Sequence, residues 1–155
     1  MAYMQVRDVL AHVTKLRRRV RNKARRFQAT ASDDIIGSLL ERLEEHDRSM
    51  HGFQAELERN SPKAVLETWI QFPDTKPIEN EISDLGRKAE ADDAEQFIEK
   101  LLDLDQRLLS LYHTAAEQTH APSVQEFFRK LVDMESQKAR ANSWNVAQTQ
   151  DARHL

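Results

Sequence analysis

A chain of 155 residues is long enough to bury the core of one domain, and a single domain spanning 1–155 is expected. Only 3 glycines and 4 prolines stand against 32% charged residues, which points to long, well-solvated helices, and the lack of cysteine excludes disulfides, thiolate metal sites and a cysteine nucleophile. A net charge of −3 gives no global pull toward nucleic acid or an anionic membrane; with no apolar run of spanning length and no apolar leader segment at the N-terminus, a cytoplasmic protein outside the membrane is expected.

Residues 5–29 place Val6, Val9, Leu10, Val13, Leu16, Val20, Ala24 and Phe27 three or four apart, the stripe of an amphipathic helix. "TASDD" breaks the stripe, and Ser32 or Asp33 can cap a second helix that runs to about Arg59 on Ile36, Leu39, Leu40, Leu43, Met50, Phe53 and Leu57. Asn60-Ser61-Pro62 ends it, and Pro62 can begin a short third segment with Val65, Leu66, Trp69 and Ile70 on one small apolar face. "FPDTKPIENEISDLG" reads as a connection with one short turn of helix. A long helix from about Arg87 to Gln118 follows, on Phe97, Ile98, Leu101, Leu104, Leu108, Leu111, Tyr112 and Ala115. "THAPS" breaks it, and the last helix uses Val124, Phe127, Phe128, Leu131 and Met134, with Trp144 a further candidate. The result is an all-α chain of two antiparallel hairpins, 5–59 and 87–147, joined by a crossover over 60–86 and followed by a frayed tail over 148–155.

The two hairpins superpose without gaps at an offset of 88 residues, which sets Leu101 on Val13, Leu108 on Val20, Val124 on Ile36 and Leu131 on Leu43. The breaks "ATASD" and "EQTHA" coincide as well. An offset of 92 fits the apolar stripes almost equally, so both registers stay open.

The segment "LDLDQRLLSLYHTAAEQTHAPSVQEFFRKLVDMESQKARA" resembles the second half of ferritin-like and rubrerythrin-like proteins. The resemblance implies a ferritin-like four-helix bundle, in which each hairpin offers an acid on its first helix and a Glu-x-x-His on its second. Asp105, seven residues before Tyr112, takes the first-acid position and Glu135 the glutamate, while Lys138 stands where the histidine should be. In the first hairpin the offset of 88 puts Arg17, Asp47 and Met50 at the equivalent positions; the offset of 92 puts Val13, Leu43 and His46 there. Neither register completes the ligand set. Arg17 and Lys138 would repel a metal ion and pair with Asp47, Asp105 and Glu135, so an ion-pair network in place of a di-metal centre is expected. Ordinary i,i+3 placement of Glu135 and Lys138 on a solvated face is the plainer alternative.

Three functional readings follow. The first is a non-catalytic bundle with a degenerate metal site and no cofactor, acting as a homo-oligomer or through a protein partner on its helix faces. The second is a ferritin-like metal-binding protein, an oxidase or iron store, using Asp47, His46, Asp105 and Glu135. The third is nucleic-acid binding through "KLRRRVRNKARR", residues 15–26, whose eight cations include no acid. Pairing of that run with the acids of the second helix is the simpler account, since no aromatic residue interleaves it. His46 and His51 in "LEEHDRSMH" do not share a helix face and read as surface histidines. The stripe "ETWIQF" reads as a core plug, or as a contact surface should Trp69 and Phe72 be exposed. No catalytic residue is assigned.

Overall fold

The computed structural model describes residues 2–31, 34–87 and 94–137. Ser32, Asp33, Lys138, Trp144, His154 and the tail over 148–155 lie outside them. The described chain is mostly helical. It opens with a short strand β1 (Ala2–Gln5) and continues through α1 (Val6–Ala31), α2 (Asp34–Asn60), the single turn α3 (Lys63–Leu66), β2 (Trp69–Phe72) and α4 (Lys76–Asp84). A second pair of long helices follows: α5 (Ala94–Gln118) and α6, helical over 122–137. No helix among the described residues is long and apolar enough to cross a membrane.

The apolar stripe of α1 is buried along its whole length, from Val6 through Phe27. Contacts fix the sense of its neighbours. Arg17 meets Asp47 while Arg25 meets Glu44, so α1 and α2 run antiparallel. Arg21 meets Asp105 while Phe27 stacks on Phe97 with ring centroids 4.0 Å apart, so α1 and α5 are antiparallel too. The link from α5 to α6 is tight. Buried Thr119 accepts a hydrogen bond from the Ala121 amide on its hydroxyl and one from Gln125 Nε2 on its carbonyl, which closes the turn before Pro122 enters α6. Tyr112 and Phe128 then pack with centroids 6.1 Å apart across the two helices.

The connecting region departs from expectation. Trp69 and Ile70 do not extend a helical face; they lie on β2, which pairs antiparallel with β1 in the register Tyr3↔Gln71 and Gln5↔Trp69. The Val6 amide donates to the Thr68 carbonyl at 3.0 Å and continues the pairing into the start of α1. Strand alternation splits "WIQF": Ile70 and Phe72 enter the core, while Trp69 is 62% exposed beside Tyr3 at 66%. His12 of α1 holds the next segment, with Nε2 2.8 Å from the hydroxyl of buried Thr75. That hydroxyl donates to Glu79 Oε2 at 2.9 Å, so His12 is the donor and carries its proton on Nε2. α4 ends at Asp84, Gly86 follows with a φ of 82° that suits glycine, and Arg87, where the next long helix is expected to begin, is non-helical; the described part of that helix is Ala94–Gln118.

Candidate functional site

Arg17 and Arg21 lie one turn apart on α1, four residues after Val13 and four before Arg25, so helical geometry carries them onto the edge of the buried stripe. Both are buried, Arg21 to 2% exposure. A guanidinium in a helical core needs acceptors, and three helices supply them. Arg17 Nη1 donates to Glu135 Oε1 at 2.8 Å and Nη2 to Asp47 Oδ1 at 3.3 Å. Arg21 grips Asp47 with two bonds, Nε to Oδ2 at 2.6 Å and Nη2 to Oδ1 at 3.1 Å. The same Nη2 forms an ion pair with Asp105 Oδ1 at 2.9 Å. Asp47 of α2, Asp105 of α5 and Glu135 of α6 are thus tied together through two arginines of α1.

Three carboxylates face two guanidiniums, and the electrostatics follow from that imbalance. Burial opposes the ionised form of Asp105, yet Arg21 and Arg17 outweigh it and hold its pKa below the usual carboxylate range. Glu135 goes the other way: burial dominates, Arg17 compensates only partly, and the charges of Asp105 and Asp47 push further upward. Burial also opposes the charge on both arginines, and the surrounding carboxylates overcome it and raise them. Buried His46 is held below its ordinary value by burial and by Arg17. Tyr112 is pushed up by burial and by Glu135. Several network atoms, including Arg17 Nε, Arg21 Nη1, His46 Nδ1 and Glu135 Oε2, are buried with no hydrogen-bond partner among the described residues.

The residues singled out in the sequence fall as follows. Arg17, Asp47, Asp105 and Glu135 are brought together by the contacts above, and Lys138 lies outside the described residues. Asp105 and Glu135 are buried rather than on a solvated face. His46, expected at the surface, is buried next to the network, whereas His51 is exposed. Val13 and Leu43 are core residues. Arg21 was missed as an inward residue. It sits in a run of cations with nothing in its type to mark it out; the one available signal was its i,i+4 relation to Arg17.

The residues do not fit a di-metal centre. Each carboxylate that would ligate an ion already faces a guanidinium, and Arg21 approaches both Asp47 and Asp105. Among the described residues, no three His, Asp or Glu side chains are grouped to hold a metal ion. The remaining cations of residues 15–26 divide: Arg25 pairs with Glu44 at 2.6 Å, Arg19 donates to the Ser83 hydroxyl at 2.9 Å and Lys23 to the Ser83 carbonyl at 3.1 Å. Comparison with protein-family models, curated proteins and solved structures finds no match.

Proposed function

We propose that the chain is a non-catalytic, ferritin-like four-helix bundle in which two arginines have taken over the electrostatic role of metal ions. It acts through its surfaces as a structural or interaction protein, with a second copy or another protein as partner. The sense of the helices supports the bundle: α1 runs opposite to α2 and α5, the tight turn after Gln118 reverses α6, and the chain over 61–87 follows the first hairpin as a long connection. The observation that carries the reading is the insertion of Arg17 and Arg21 between acids contributed by three different helices. Metal ions in such a core would need free carboxylates to neutralise them, and here the carboxylates are already paired with protein cations. Elemental analysis of protein purified from iron- and zinc-supplemented medium tests this. The expected result is metal far below one equivalent per chain. Stoichiometric iron or zinc that is lost in a Glu135→Ala variant would replace the proposal with a metal-binding function.

A further inference from the structure

Outside the ion-pair network, the groove between α1 and α2 opens into a cleft of about 360 Å³. That volume lies at the lower end of small-molecule sites and is several times that of a single oxyanion. Five arginines reach the cleft, Arg17, Arg18, Arg21, Arg25 and Arg48, against two acids, Glu44 and Asp47. Both acids are already engaged: Glu44 by Arg25, and Asp47 by Arg17 and Arg21. Arg18 on the α1 wall and Arg48 on the α2 wall are exposed and form no ion pair with a described carboxylate. Antiparallel packing brings Thr14, His51 and Gln54 to the same end of the cleft. The cleft is therefore lined by two guanidiniums with no ion-pair partner among the described residues and by three side chains able to donate a hydrogen bond, while both of its carboxylates are engaged by other arginines.

We infer that this cleft binds a small organic phosphate, with its phosphate group held between Arg18 and Arg48. Guanidinium forks match the paired oxygens of a phosphate, and two on facing walls can engage one dianion from both sides. Arg17 and Arg21, pinned behind by the acids, hold the floor and the walls in fixed register. Nucleic acid fits less well. No Phe, Tyr or Trp lines the cleft for a base to stack on, and the cations gather around one open cleft rather than forming a track along α1.

Isothermal titration of the whole chain with pyrophosphate and with ribose 5-phosphate at low salt tests the inference, with a single-stranded oligonucleotide as the third arm. Saturable one-to-one binding of both phosphates is expected. Arg18→Ala and Arg48→Ala should each weaken it roughly ten-fold, the effect of losing one charged hydrogen-bonding group. Arg48→Lys should recover only part of the loss, because an ammonium lacks the fork. Arg26→Ala removes a cation of the same basic run that does not line the cleft, and should leave binding unchanged. Absence of saturable pyrophosphate binding at millimolar concentration overturns the site. Equal weakening by Arg26→Ala, or tight oligonucleotide binding that pyrophosphate does not displace, overturns it as well.

Discussion

Asp47 accepts hydrogen bonds from both arginines, and this shared acceptor makes the network more than a set of separate pairs. Removing one cation therefore leaves a surplus of buried negative charge. Arg21→Met should lower stability by about 3–5 kcal/mol at neutral pH, the usual cost of breaking a buried pair from one side. Chemical denaturation checks this, and the loss should shrink in mild acid. Without Arg21 the folded-state pKa of Asp105 rises, and a group with raised folded pKa favours the fold at low pH. Glu135→Gln removes the excess negative charge and should cost at most about 1–2 kcal/mol. His46 gives a separate pH effect. Its folded pKa is lowered from the ordinary 6.5, so below that pH the unfolded chain binds a proton that the folded chain does not. Stability should fall as pH drops through that range, against Arg17, Arg21, Asp47 and Asp105 as the facing charges, and His46→Gln should flatten the dependence. Denaturation midpoints of both proteins at several pH values decide it; equal slopes would contradict the assigned environment of His46.

At the scale of elements, the β1–β2 ribbon ties the N-terminus to the connection between the hairpins. Its two faces should respond differently to substitution. Phe72→Ala opens a hole in the core and should cost about 3–5 kcal/mol, while Trp69→Ser, on the exposed face, should stay within about 0.5 kcal/mol. Thermal unfolding of both variants separates them; comparable losses would mean that Trp69 packs in the core. The long helices were legible in the sequence because each buries a stripe of threes and fours: the stripes of α1 and α5 are buried as spaced, and that of α2 is buried from Ile36 to Met50 with Phe53 and Leu57 partly buried. The ribbon was not. Four residues show too little period to tell a strand from a helix turn, and "AYMQ" acquires its meaning only from a partner far along the chain. Arg87, expected in the next long helix, is non-helical: it directly follows Gly86, whose left-handed backbone turns the chain after α4.

Across the whole molecule, charge decides how the helices meet. The internal repeat at an offset of 88 placed Arg17 against Asp105 and Asp47 against Glu135 as equivalent positions; Arg17 pairs with Asp47 and Glu135, and Arg21 ties in Asp105. Arg17, Asp47, Asp105 and Glu135 were thus the readable part of the site. Arg21 and the burial of His46 were not readable, because local sequence cannot say which members of a charged run face inward once a partner helix supplies the counter-charge. A network of this kind contributes little net stability, since desolvation offsets much of the attraction, but it penalises any other helix register that would leave a charge unpaired. The most direct test is anomalous diffraction from crystals grown with manganese. The account predicts no anomalous peak within ligand distance of Asp105 and Glu135, with Arg17 and Arg21 still between the acids. A peak touching both carboxylates, with the arginines turned away, would contradict it.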